Sequence, residues 1–145
     1  ACIHIVNFKK PFTFMIKHFN HTLLVLATLF IVACGDLGTE KNYNGTQLFY
    51  TADVTEAEAD KLGEFLVTSE FANGEAKTVQ LAKTGGTYAF KMVVKKGLEQ
   101  DQEYAQLFKT FASDISKNVF NGAQVDLHAC DENLETLRVF PMAME

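Results

Sequence analysis

The chain has no tryptophan, only two prolines and only three cysteines in 145 residues. Three cysteines are too few for a disulfide framework. Scarce proline with nine glycines excludes a collagen-like or low-complexity chain. The longest apolar run, residues 22–33, falls short of the roughly 20 residues a spanning helix needs. No basic footprint is present, because the formal net charge is −5, so no nucleic-acid partner is expected. Carboxylates are missing from residues 1–33, which carry the lysines Lys9, Lys10 and Lys17. The other residues hold all eighteen Asp+Glu against ten Lys+Arg, a net of −8. Such a split marks a targeting segment followed by a mature domain.

The first 33 residues read as a leader. A positive n-region ending at Lys17 precedes the apolar stretch Thr22-Leu23-Leu24-Val25-Leu26-Ala27-Thr28-Leu29-Phe30-Ile31-Val32-Ala33, the order of a secretory signal. Met15 is the expected start of a normal-length leader, with residues 1–14 an upstream extension. The leader ends in Ile31-Val32-Ala33-Cys34, which resembles the lipobox of bacterial lipoproteins. The resemblance implies a diacylglyceryl thioether on Cys34, cleavage between Ala33 and Cys34, and acylation of the new amine. It also implies a lipid-anchored envelope protein, held to the membrane by its acyl chains. Each buried CH₂ adds about 0.8 kcal/mol, so two or three chains hold far better than one. Gly35 rather than aspartate after Cys34 points to the outer over the inner membrane where the host has both.

Residues 34–46 are polar and glycine-rich and read as a flexible tether. Asn20-His21-Thr22 and Asn44-Gly45-Thr46 match the glycosylation triplet, and both are read as chance. Residues 47–140 form the folded domain, and residues 141–145 a tail. Thr55-Glu56-Ala57-Glu58 is a capping box that opens a helix to about Phe71, with Ala59, Leu62, Phe65 and Leu66 on one face. Thr84-Gly85-Gly86-Thr87 is a hairpin turn. A second helix from about Gln100 to Phe120 carries the stripe Tyr104, Leu107, Phe108, Phe111, Ile115 and Val119. The element order β-α-β-β-α-β-β predicts an α+β fold: a ferredoxin-like split β-α-β antiparallel sheet with two helices on one face. Residues 48–140 also resemble a domain of uncharacterised bacterial envelope proteins. The resemblance is carried by Thr87-Tyr88 through Val93-Val94-Lys95-Lys96-Gly97, by Ser116-Lys117-Asn118-Val119-Phe120-Asn121-Gly122, and by His128 through Cys130-Asp131-Glu132-Asn133. It implies domain limits and no activity.

His128 and Cys130 are the candidate ligand or thiol site. Two apart in a strand, they share a face, and a Cys–His pair can supply an activated thiolate. Side chains about 6–7 Å apart make a loose hydrogen-bonding pair, so an inert cysteine on a polar face is the simpler account. A metal would have only His128, Cys130, Asp131 and Asp126, with no second donor pair, so neither metal nor cofactor is expected. The open sheet face, with Phe49 and Val93 among Lys91, Asp126 and His128, offers a surface for an envelope partner or self-association. The expectation is a non-enzymatic binding or assembly domain. The alternatives are an envelope enzyme or thiol/metal site at Cys130 and His128, and a spacer with no ligand.

Overall fold

The computed structural model describes residues 37–143. Six strands form one sheet: β1 (Thr39–Tyr43), β2 (Thr46–Tyr50), β3 (Lys77–Thr84), β4 (Thr87–Val93), β5 (Val125–Cys130) and β6 (Thr136–Pro141). Two helices, α1 (Glu56–Thr68) and α2 (Gln102–Val119), cross between strands. The strand order is sequential, β1 to β6. Hairpin partners β1–β2, β3–β4 and β5–β6 are antiparallel, whereas β2–β3 and β4–β5 are parallel.

Local chemistry explains most boundaries. Asn44 and Gly45 both take positive φ (45° and 85°) and close the β1–β2 hairpin, as a type I′ turn requires. Thr55 caps α1: its side chain accepts from the Glu58 N–H while Glu58 reaches back to the Thr55 N–H. Asp101 caps α2 by accepting from the N–H groups of Glu103 and Tyr104. Asn121 and Gly122 end α2 with two successive positive φ angles (53° and 85°), and the Gly122 N–H closes back on the Ser116 carbonyl at 2.8 Å, satisfying a carbonyl of the last turn.

The sheet departs from the ferredoxin-like expectation. It is mixed rather than antiparallel, and its parallel strands are direct neighbours rather than split by an inserted strand. Residues 39–43, assigned from sequence to the tether, form β1. Its five residues, TEKNY, carry one ring and four polar or charged neighbours, which is the composition of a loop as much as of a short edge strand. Period-2 patterning tells which side chains share a face, but not which strands are neighbours.

Both helices cover one face. Leu62 and Leu66 of α1 and Phe108 and Ile115 of α2 bury into one cluster with Leu48, Leu81, Phe90 and Leu127 of the sheet. The Phe65 and Phe111 rings meet across the helices at 6.1 Å. The β2-α1-β3 and β4-α2-β5 crossovers step the same way across the sheet, on strand pairs of opposite polarity. With both helices on one face, the two connections must have opposite hands. One of them is therefore left-handed, a rare arrangement.

The α1 stripe is as expected. In α2 the buried face is rotated: Ala105, Ala112, Ser113 and Ser116 are buried with Phe108, Ile115 and Val119, whereas Tyr104 and Leu107 are 39% and 58% exposed. Two serines can face the core because Ser116 donates to the Ala123 carbonyl and Ser113 accepts from the Ala143 N–H. Their hydroxyls are thus satisfied on burial.

Candidate functional site

His128 and Cys130 lie on β5, on the sheet face away from the helices, between Lys91 and Val93 of β4 and Val139 of β6. The imidazole and the thiol meet Thr136 rather than each other. Thr136 Oγ1 sits 3.1 Å from His128 Nδ1 and 3.9 Å from Cys130 Sγ, and the thiol donates to the His128 carbonyl. Cys130 is fully buried. Burial raises its thiol above the ordinary value. Burial, then nearby Lys91, lowers the His128 imidazole. Both shifts favour neutral side chains, the reverse of a thiolate–imidazolium pair. The loop from Cys130 to Thr136 is closed by Asp131, whose Oδ1 accepts from the Asn133 and Glu135 N–H groups. Leu134 in that loop is 3% exposed. Asp126 accepts from Gln124 instead, and among the described residues no three His, Cys, Asp or Glu could hold a metal. Ala33 and Cys34 lie outside the described residues.

Sequence reasoning missed two tyrosine–carboxylate–lysine clusters that fasten α1 to the sheet. Glu58 Oε1 accepts from Lys83 Nζ and the Tyr88 hydroxyl, while its Oε2 accepts from the Thr55 N–H and hydroxyl. Burial alone would raise the Glu58 carboxyl, but these donors hold it down at about 2. Asp60 accepts from Lys41 and the Tyr43 hydroxyl, and Lys41 also pairs with Glu56 at 2.7 Å. Burial and the Asp60 bond push Tyr43 up to about 12. The capping box was a signal for Glu58, but its partners 25 and 30 residues away leave no trace in local spacing.

An open cleft of about 500 Å³ runs between the ends of α1 and α2, past Lys61, Glu64 and Asn118, and two adjoining concavities lie at the end of the sheet where β3 starts and β4 ends. One cavity of about 180 Å³ is lined only by Phe71, Met92, Leu107, Phe108 and Phe111. A neighbouring cleft of about 370 Å³ shares Phe71 and Met92 and adds Lys77, Val93 and Glu132. Lys77 is engaged by Asn73 and Glu75. The smaller cavity is below the usual size of a small-molecule site. Neither holds a nucleophile beside a base, so what they can do chemically is accept an apolar group.

A family model described as AF_1994_N, family N-terminal domain, matches residues 41–139. The chain belongs to the AF_1994_N family. The match runs from the third residue of β1 into β6, so the family domain spans all six strands and both helices. This agrees with a domain shared among uncharacterised proteins. No curated protein and no solved structure matches the chain. The AF_1994_N description names a domain and no chemistry, so function is argued from the chain's own residues.

Proposed function

We propose that the chain is a lipid-anchored bacterial envelope lipoprotein. Its folded AF_1994_N domain binds or assembles rather than catalyses. The observation that carries this reading is the leader: a cationic segment, a short apolar run and Ile31-Val32-Ala33-Cys34, placed five residues before β1 begins at Thr39. An acylated Cys34 would then stand directly at the edge of a folded unit. The fully buried Cys130, with its thiol held neutral, supports a non-enzymatic domain. An enzyme working through Cys130 and His128 would need that sulfur accessible. Among the described residues no helix is long and apolar enough to cross a membrane, and the anchor in this reading is the lipid.

Metabolic labelling with a palmitate analogue tests the anchor. Wild type takes up the label and Cys34→Ala does not. An unlabelled wild type, or a labelled Cys34→Ala, overturns the reading. The double substitution Cys130→Ala/His128→Ala tests the non-enzymatic half. If it keeps the fold and abolishes a cellular phenotype, the domain works through that pair and the proposal fails.

A further inference from the structure

The apolar cavity of about 180 Å³ between Phe71, Met92, Leu107, Phe108 and Phe111 has braced walls. Phe71 stacks on Phe111 at 5.4 Å between ring centres, and both cross the buried Phe90 ring in T-shaped contacts at 6.0 and 5.8 Å. Phe108 is pinned in turn against Phe140 at 5.2 Å. Rings packed on rings cannot change rotamer without moving their neighbours, so the space is present before anything enters it. Met92, unbranched and flexible, is the wall that can adapt to a guest.

The mouth is marked by a side chain that the core leaves out. The apolar stripe of α2 predicts a core position for Leu107, yet Leu107 is 58% exposed while the small Ala105 and Ala112 are turned inward. Phe71, Met92 and Phe111 are also only partly buried. A guest in the cavity removes water from all four, which favours its entry. All five lining side chains are apolar, so the space offers water no partner, and a dry cavity of about 150 Å³ is enough to hold benzene. Three phenyl rings and a thioether favour a ring over a linear chain, because aromatic pairs and sulfur–ring contacts both add to burial.

The surroundings suit a small molecule better than a protein. Beside Leu107, the large apolar side chain exposed on this part of α2 is Tyr104, and two such residues fall short of the apolar core of a protein interface. The cleft of about 370 Å³ that shares Phe71 and Met92 has room for the rest of a ligand, within the roughly 300–1,000 Å³ of small-molecule sites. Its charged residues, Lys77 and Glu132, are of opposite sign, so the cleft does not select the sign of the ligand's polar group.

We infer that the cavity is a binding site for the aromatic ring of a small amphipathic molecule, whose polar group lies in the adjoining cleft. The inference rests on the binding half of the proposed function and names the chemistry of what is bound.

Phenylacetate and phenylethylamine are water-soluble probes that share a ring and differ in charge. They are titrated into the full-length protein carrying carbon-13 methionine methyl groups. Ring currents move the Met92 methyl resonance in a saturable way with both probes, and the Met142 resonance stays in place. Leu107→Gln, at an exposed position, keeps the melting curve and weakens both probes about tenfold, as loss of one buried apolar contact does. Hexanoate, with a linear chain, binds several times more weakly than phenylacetate. Shifts that rise linearly and alike at Met92 and Met142 overturn the site, and so does full affinity in Leu107→Gln. Hexanoate binding as tightly as phenylacetate overturns the aromatic class of ligand. Dimers that dissociate on Leu107→Gln, with no probe shift at Met92, mean that a second copy fills the cavity, which also overturns the inference. None of these results changes the palmitate label or the Cys130→Ala/His128→Ala phenotype, so failure here is distinct from failure of the proposed function.

Discussion

Gln80 holds the Leu37 carbonyl from 43 residues away in the sequence. This contact sets where the chain before β1 leaves the domain, and Gln80 is itself 94% buried, at 6% exposure. Gln80→Leu removes the bond and is expected to cost about 0.5–1.5 kcal/mol. Denaturant unfolding measures the loss. Hydrogen exchange or proteolysis near residue 38 should accelerate by more than at β5. Unchanged exchange there would mean that the Leu37 segment is held by something else.

Gly63 in the middle of α1 gives a sign test. Glycine to alanine inside a helix ordinarily stabilises by about 1 kcal/mol. At Gly63 an added Cβ would fall 2.2 Å from the Tyr43 ring. That ring cannot swing away cheaply, because its hydroxyl is bonded to Asp60. Gly63→Ala should therefore destabilise, by about 1–3 kcal/mol as overpacking does. Adding Tyr43→Ala should remove most of that penalty. A more stable Gly63→Ala would contradict the packing of α1 on β1.

The Glu58 cluster predicts acid lability. Its carboxyl stands at about 2 in the folded chain, against an ordinary 4.5. A depressed carboxylate adds stability above its ordinary value and loses it as pH falls through the folded one. The contribution should be complete above about pH 4.5 and fade toward pH 2. Asp60, lowered by its bonds to Lys41 and Tyr43, acts in the same direction. Glu58→Gln should flatten the melting temperature against pH in that window. An unchanged slope would show that the Lys83 and Tyr88 contacts do not persist in solution.

Cys130 predicts a silent thiol. Cys130, read by peptide mass to separate it from Cys2 and Cys34, should react with a thiol reagent in native protein only as fast as the sheet end opens, because its sulfur is fully buried and neutral. In denaturant the reaction should complete at once. Fast modification of native protein, with the melting transition intact, would return Cys130 to the list of reactive groups.

Legibility in the sequence followed the range of the interaction. The α1 capping box, the Gly85 hairpin and the Asn121-Gly122 stop are contacts within a few residues, and all stand where spacing put them. His128 and Cys130 share one strand face, as their spacing says, but the full burial of Cys130 depends on tertiary packing. β1 was lost because a five-residue edge strand with two charges has no apolar period to read. Strand neighbours were misjudged because hydrophobic alternation is the same in a sequential and an interleaved sheet. The rotation of α2 followed from Ser113 and Ser116, whose burial depends on carbonyl and N–H partners beyond the helix end.

The most direct test of the account is the mass of the N-terminal peptide of protein taken from the membrane fraction. The account predicts a peptide that begins at Cys34 and carries the mass of a diacylglyceryl group, with or without a further acyl chain on the amine. A peptide that begins upstream of Cys34, or one that begins there with an unmodified thiol, would contradict it.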